Sequence, residues 1–237
     1  MRRACAWPEH RPPIPVPDDL LSIAVLASGR GSNLQALIRA QRSGELPVRF
    51  ALVASDRATA PALGLAAEAG IPTLHLDPAD FPSRRDYDLA LFEQVAASGA
   101  QLLVLAGFMR ILDADAVTPW RGRMINVHPS LLPKYRGLHT HRRALEAGDA
   151  EHGASVHFVT PELDGGPVIA QARIEVHADD SEESLATRLL PLEHRLLVAV
   201  VADIAAGRIR MQDGHVLVDA KPLEQPLRLD RQGRLSR

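Results

Sequence analysis

The sequence predicts an α/β fold in which helices flank a mostly parallel central sheet, with an antiparallel portion in the C-terminal half. In the first half of the chain, short continuous apolar runs alternate with helical patterns. Such runs are typical of parallel strands that are buried on both faces. In the second half, two strand-like runs follow each other across one short turn-rich loop, which is typical of an antiparallel pair.

The first half of the chain supplies the alternating elements. The first predicted strand, residues 22–27, is an apolar run followed by Gly29 and Gly31. The later strands of this half are short apolar runs at residues 48–54, 73–76, 102–106 and 124–127. Helices are predicted from residue 32 and over residues 61–69, 84–98 and 140–147, and glycine closes the last three. Ligands bind beyond the carboxyl ends of strands in such sheets, so functional side chains are expected there.

The second half changes character. Residues 154–160 and 168–176 are the predicted antiparallel pair, and Ser181 to Ser184 read as a capping box that opens a helix reaching about residue 206. Pro191 inside this helix is expected to kink it. Residues 208–211 and 215–218 are predicted to pair as a hairpin around Asp213 and Gly214.

The chain is expected to form one domain over residues 21–219. Five prolines in residues 1–20 predict a flexible Pro-rich N-terminal extension, although an upstream start codon would explain the same segment. Residues 220–237 are expected to be a C-terminal tail.

Composition excludes several classes of protein. The net charge of -2, from 27 basic and 29 acidic residues, gives no nucleic-acid footprint. Cys5 is the only cysteine, which excludes a disulfide framework. Neither a signal peptide nor an apolar run of membrane-spanning length is present, so a soluble cytoplasmic protein is expected.

An amide and an imidazole stand at the end of the strand predicted over residues 124–127. Asn126 and His128 are two residues apart, so both side chains point the same way at a strand end. Asp164 follows downstream, before Gly165 and Gly166. The amide and the imidazole can donate hydrogen bonds to the oxyanion of a tetrahedral intermediate, and the carboxylate can hold the imidazole charged and oriented. The pattern therefore predicts an acyl-transfer enzyme.

The loop of residues 27–33 has two readings from its residues alone. Backbone N–H groups at a helix N-terminus, with glycine allowing close approach, make a phosphate site. A tight strand-to-helix turn explains the loop equally well. It is not a dinucleotide fingerprint, because Leu34 replaces the third glycine.

The remaining histidines and Glu193, judged by themselves, are interpreted as residues without a role in catalysis. His139 and His141 lack the spacing of a helical zinc pair, so no metal is expected. His152 is expected at the surface and His157 in the core, with a place in the lining of the pocket as the alternative for His157. Glu193 by itself reads as part of a solvated helix face.

Four segments match a known family. They are VLASGRGSNLQALI (25–38), LAGFMRIL (105–112), INVHPSLLPKYRGLHTH (125–141) and HGASVHFVTPELDGGPVI (152–169). Over about residues 22–215 the chain closely resembles the folate-dependent glycinamide ribonucleotide transformylases of the formyltransferase superfamily. The resemblance implies a Rossmann-like formyltransferase fold, with a phosphate-binding N-terminal half and a C-terminal half that completes the folate site.

The resemblance also implies a reaction and its residues. The formyl group of 10-formyltetrahydrofolate, a co-substrate, would pass to the amine of glycinamide ribonucleotide in purine biosynthesis. Asn126, His128 and Asp164 would be catalytic. Gly31, Ser32 and Asn33 would bind the substrate phosphate, and Glu193 the ribonucleotide. The folate-binding residues would be Arg84, Met109, Arg110, Ile111, Leu112, Asn126, Thr160, Pro161, Glu162, Leu163 and Asp164. Arg30, Arg136 and Pro191 depart from the family pattern, and Pro191 puts the role of Glu193 in question.

Alternatives come from the same superfamily and from outside it. Another 10-formyltetrahydrofolate-dependent formyltransferase or a deformylase would share the Asn-x-His and Asp pattern. However, no segment of the length of an additional regulatory or RNA-binding domain is seen. A non-catalytic module that binds phosphate or folate would not need all three catalytic residues, so their presence argues against this alternative. Expected partners are small-molecule substrates, without nucleic acid or membrane, and the protein is expected to be a monomer or homodimer.

Overall fold

The computed structural model describes residues 20–237. Its strands are β1 (Leu21–Leu26), β2 (Val48–Ser55), β3 (Thr73–His75), β4 (Leu102–Leu105), β5 (Met124–His128), β6 (Glu151–Phe158), β7 (Val168–Glu175), β8 (Ile209–Gln212), β9 (His215–Val218), β10 (Lys221–Pro222), β11 (Leu227–Leu229) and β12 (Leu235–Ser236). Its helices are α1 (Ser32–Ser43), α2 (Pro61–Glu68), α3 (Arg84–Ala97), α4 (Ala114–Val117), α5 (Thr140–Glu146) and α6 (Glu182–Ala205). The extension predicted over residues 1–20 lies outside the described residues, apart from Leu20.

The central sheet has the order β12-β11-β7-β6-β5-β4-β1-β2-β3. Strands β1 to β5 pair in parallel, whereas β6 runs antiparallel to both β5 and β7. The predicted α/β architecture with an antiparallel C-terminal portion is therefore confirmed. Because β2 and β4 lie on opposite sides of β1, a crevice opens beyond the carboxyl ends of β1 and β4.

Side chains of β1 alternate between two hydrophobic cores. Ile23 and Val25 belong to the core beneath α1 and α6, and Ala24 and Leu26 belong to the core beneath α3. All four side chains are fully buried. A strand covered on both faces has no polar face to show, which explains the continuous apolar run in the sequence.

Helix α6 begins at the predicted capping box. The Ser184 N–H donates to Ser181 Oγ at 3.1 Å, and the Ser181 N–H donates to Ser184 Oγ at 2.9 Å. Pro191 lies on the exposed side of α6, which continues past it to Ala205. Neither α6 nor another helix within residues 20–237 is both long and apolar enough to cross a membrane.

The C-terminal residues extend both sheets of the molecule. The predicted hairpin forms between β8 and β9, with Asp213 and Gly214 both at positive φ, as a tight two-residue turn requires. The segment expected as a tail, residues 220–237, also forms strands. β11 pairs in parallel with β7, where Leu227 lies opposite Ala170, and β12 folds back on β11. Leu227 is buried, so this segment covers the edge of β7.

Gly153 in β6 has no room for a side chain. A Cβ built there would lie 2.0 Å from the backbone oxygen of Ala172 on β7. We expect Gly153→Ala to lower the free energy of unfolding in urea by about 3 kcal/mol, the upper part of the range for overpacked cores. Gly64→Ala is the matched control, because its Cβ would meet no atom within 4 Å and α2 should gain stability. Equal unfolding free energies for both variants would contradict the expectation.

His152 is buried, with 1% of its surface exposed, so its predicted surface position is wrong. β6 is an inner strand, and α5 brings His141 Nδ1 within 3.0 Å of His152 Nε2. Burial, followed by the neighbouring His141, lowers the pKa of His152 to about 4.

The buried imidazole makes stability depend on pH. Between pH 6.5 and 4 the unfolded chain protonates residue 152 and the folded chain does not, so acid favours unfolding. At 1.36 kcal/mol per pKa unit, His152 should cost about 3 kcal/mol of unfolding free energy by pH 4. Urea unfolding across this range should show a smaller pH slope for His152→Gln than for wild type. His75→Gln, at an exposed position, should keep the wild-type slope; an unchanged slope in His152→Gln would refute the role of His152.

Candidate active site

The predicted catalytic side chains from β5 meet those of β6 and its loop. β5 lies between β4 and β6, and Asn126 pairs with His157 across the antiparallel ladder. The main chain leaves β6 with the Val159 N–H bonded to Met124 O, and the following loop folds back so that Asp164 reaches Asn126. The structure therefore brings Asn126, His128 and Asp164 together, as the sequence predicted.

The carboxylate of Asp164 is the centre of this group. Its Oδ2 accepts a hydrogen bond from the Gly137 N–H at 2.9 Å and lies 3.5 Å from His128 Nδ1. Its Oδ1 lies 3.4 Å from Asn126 Nδ2 and 3.6 Å from His157 Nε2. The three side-chain distances exceed the usual hydrogen-bond range, and catalytic contacts of this kind commonly tighten only when substrate binds.

Asp164 is held in its charged form. Burial by itself would raise the pKa of this carboxyl, but the neighbouring His157, the hydrogen bond from the Gly137 N–H and the nearby His128 bring the pKa below its ordinary value. The backbone at Asp164 is in the left-handed region, at φ 47°, immediately before Gly165. The loop thus presents a carboxylate to two imidazoles and an amide.

His128 has both ring nitrogens occupied. Nε2 lies 2.9 Å from the backbone oxygen of Tyr135, which only accepts, so Nε2 carries a hydrogen. Nδ1 faces Asp164, so a hydrogen bond there requires a second proton on the ring or one on the carboxyl. Burial lowers the pKa of His128, against the opposing effects of Tyr135 and Asp164. Burial therefore works against the charged imidazole assigned from the sequence.

His157 is a further member of the site, expected from the sequence in the core or, as an alternative, lining the pocket. It is buried, as predicted, but it also contacts both Asn126 and Asp164. Its Nδ1 lies 2.9 Å from the oxygen of Phe158, so the tautomer with hydrogen on Nδ1 leaves Nε2 to accept from Asn126 Nδ2 at 3.2 Å. The contacts of Asp164 with Gly137 and of His128 with Tyr135 were missed, because they depend on how the loop after β5 folds back.

The loop after β1 has the features of an anion site. Gly31 precedes α1 at φ 76°, and a Cβ there would lie 2.9 Å from Ala62 Cα, so glycine is required. No side chain caps this end of α1 within residues 20–237. The N–H groups of its first turn, at Ser32 and Asn33, are therefore free to bind an anion.

The structure also brings Glu193 to Asn33. Glu193 is buried at 9% exposure, so the solvated helix face read from sequence alone is wrong for this residue. Burial raises its pKa to about 7, and a hydrogen bond from Asn33 opposes that shift. Asn33 Oδ1 is buried without a hydrogen-bond partner within the described chain. The contact follows from the packing of α6 on α1, and Pro191 does not prevent it.

The residues expected to bind folate lie in two loops and at one helix start. In the loop after β4, Met109 and Ile111 are 65% and 56% exposed, while Arg110 and Leu112 are half-buried. In the loop after β6, residues 160–164, Leu163 is 48% exposed. Exposed apolar side chains that form a contiguous patch commonly mark a binding surface, and Met109 and Ile111 lie in the same loop.

Arg84 and Glu162, two charged residues of this set, make ion pairs. Arg84, at the start of α3, lies 4.0 Å from Asp113 at the far end of the β4 loop. Glu162 pairs with Arg136 from the loop after β5. Arg136 therefore links the loops that carry Gly137 and Asp164.

Fold and site together define an α/β enzyme of acyl transfer, with a helix N-terminus suited to an anionic group. The sequence matches the formyl transferase family over residues 21–201, and the chain belongs to that family. The resemblance drawn from the four sequence segments is thereby confirmed.

Individual relatives share most of the chain. It is 47% identical over 203 residues to phosphoribosylglycinamide formyltransferase of Escherichia coli K12, covering 86% of this chain and 96% of that protein. It is 46% identical over 187 residues to the trifunctional purine biosynthetic protein adenosine-3 of Drosophila melanogaster, covering 78% of this chain and 14% of that protein. The structure of phosphoribosylglycinamide formyltransferase from Coxiella burnetii in complex with CHES superposes with a TM-score of 0.82 and 49% identity, covering 86% of this chain and 96% of the other.

Proposed function

We propose that this protein transfers the formyl group of 10-formyltetrahydrofolate to the amine of glycinamide ribonucleotide in purine biosynthesis. The observation that carries the proposal is the convergence of Asn126, His128 and Asp164 at one site of a formyl transferase fold. The names of relatives that match nearly the whole described chain support the choice of substrates.

Each substrate has residues suited to it. The free N–H groups at Ser32 and Asn33 would bind the phosphate of the ribonucleotide, with Gly31 allowing its close approach. Glu193 would contact the ribonucleotide beside Asn33. The exposed apolar residues of the two loops would line the folate pocket, and Arg84 would meet its acidic tail.

The chemistry begins when the glycinamide amine attacks the formyl carbon and forms a C–N bond. The carbonyl oxygen becomes an oxyanion, to which Asn126 Nδ2 donates once it gives up its long contact with Asp164. His128 donates to the same oxygen after exchanging one of its two present contacts. Collapse breaks the bond to the folate nitrogen. The attacking amine nitrogen gives up one proton and the folate nitrogen leaves with one, which Asp164, His128 or a bound water relays between them.

The test is absorbance-monitored formyl transfer from a 10-formyl folate to glycinamide ribonucleotide. Turnover that requires the ribonucleotide is the expected result. Folate consumption without the ribonucleotide would show a deformylase instead. Binding of both ligands without turnover would support the non-catalytic alternative. The monomeric or homodimeric state, cytoplasmic location, independence from metal and lack of a nucleic-acid partner stay predictions.

A further inference from the structure

The loop between β4 and α4, residues 107–113, is attached to its surroundings at both ends. At its beginning, the Ser28 N–H donates to Gly107 O at 3.0 Å, and the Met109 N–H donates to Ser28 Oγ at 2.9 Å. Ser28 is buried at the end of β1. The first half of the loop is thus fixed to the strand that leads into the anion site.

Two adjacent residues of α3 hold the second half of the loop. The Asp113 N–H donates to Asp88 Oδ2 at 2.7 Å. The guanidinium carbon of Arg110 lies 4.7 Å above the ring of Tyr87, within the range of a cation–π contact. The Tyr87 ring is fixed in turn by an edge-on contact with Phe81, at 5.5 Å between ring centroids.

Tyr87 and Asp88 are unusual in a hydrophobic core. Both are fully buried, and burial raises the pKa of each. The hydroxyl of Tyr87 and the Oδ1 of Asp88 have no hydrogen-bond partner within residues 20–237. A buried polar atom without a partner destabilises a fold, so packing alone does not account for a tyrosine and an aspartate here. Their common feature is contact with the β4 loop.

We propose that Tyr87 and Asp88 are positioning residues, which set the backbone of residues 110–113 and the direction of the Arg110 side chain for binding of the folate substrate. The inference rests on the proposed function, which places that substrate on this loop. Neither residue needs to touch substrate. Tyr87 acts through the guanidinium of Arg110, and Asp88 acts through the backbone of Asp113.

The test compares truncating and conservative variants at both positions. In Asp88→Ala and Tyr87→Leu, amide hydrogen exchange of residues 110–113 should become faster. The KM for the 10-formyl folate should rise at least about tenfold in Asp88→Ala, the effect of one lost hydrogen bond to a charged group. It should rise about threefold in Tyr87→Leu, the effect of one lost cation–π contact. The KM for glycinamide ribonucleotide and the kcat should stay unchanged. Asp88→Asn keeps an acceptor for Asp113 and Tyr87→Phe keeps the ring, so both should restore the folate KM.

Val95→Ala is the control for general loss of stability, since Val95 is a fully buried residue of the same helix. It should lower the free energy of unfolding and leave the folate KM unchanged. Unchanged exchange of the loop in Asp88→Ala and Tyr87→Leu would overturn the proposal, as would faster exchange with an unchanged folate KM. If the wild-type protein showed no formyl transfer, the proposed function would be wrong. Amide hydrogen exchange would still decide separately whether Tyr87 and Asp88 hold the loop.

Discussion

Asp164→Asn is expected to lower kcat about 10³-fold, within the range of effects for catalytic proton-transfer groups. The charged Asp164 faces one backbone donor and three side chains. An asparagine amide has one oxygen and one N–H₂ group, so its N–H₂ group would face a hydrogen-bond donor, either the Gly137 N–H or Asn126 Nδ2. The ring of His128 would lose the negative charge that opposes the effect of its burial. The substitution would therefore change both the orientation of the neighbouring side chains and the protonation of His128. Single-turnover formyl transfer, with circular dichroism to show folding, measures the result.

Asp179→Asn is the matched control, because it makes the same chemical change at an exposed turn. It should retain wild-type kcat. A folded Asp164→Asn protein with near-normal kcat would show that the carboxylate has no part in the chemistry. The site would then have to be sought elsewhere.

Asn126→Ala is expected to reduce kcat by about 10²–10³-fold, the usual effect of removing one oxyanion donor. Asn126 Nδ2 now contacts His157 at 3.2 Å and Asp164 at 3.4 Å, so its amide hydrogens already point into the group of catalytic side chains. The KM values for both substrates should change little, because an oxyanion exists only during the reaction. Steady-state kinetics with each substrate varied in turn makes the comparison.

An exposed amide on α3 gives the control for this second substitution. Gln94→Ala removes an amide of similar chemistry at the protein surface and should leave kcat unchanged. If Asn126→Ala raised the KM values without lowering kcat, Asn126 would bind substrate in the ground state and would not stabilise the oxyanion.

Much of the fold was predictable because its signals are local. A strand covered on both faces must be apolar throughout, and the runs at β1 and β4 show it. The same holds for Asn126 and His128, whose common direction follows from the two-residue period of a strand. Their meeting with Asp164 was predicted from the chemistry that the three side chains share and from the family resemblance, because Asp164 lies 36 positions after His128 with α5 and β6 between them.

The errors concern burial and register, which are set by distant residues. Glu193 reads as solvated by helix position, but α6 packs its surface against α1, which buries it. His152 reads as a surface residue near a turn, but it lies on an inner strand. The contact of His157 with Asn126 depends on the register between β5 and β6, which neither strand specifies alone. The pairing of β11 with β7 likewise depends on residues that are distant in the sequence.

The strand β11 has a consequence for any attempt to shorten this protein. A truncation that ended before Leu227 would remove the partner of β7 and leave main-chain N–H and C=O groups of an inner strand unpaired. Exposed edges of this kind are templates for pairing with strands of other molecules, so we expect such a truncation to increase edge-to-edge association. Residues 227–229 therefore cover an edge of the sheet that would otherwise be open to intermolecular pairing, although they lie outside the family match at residues 21–201.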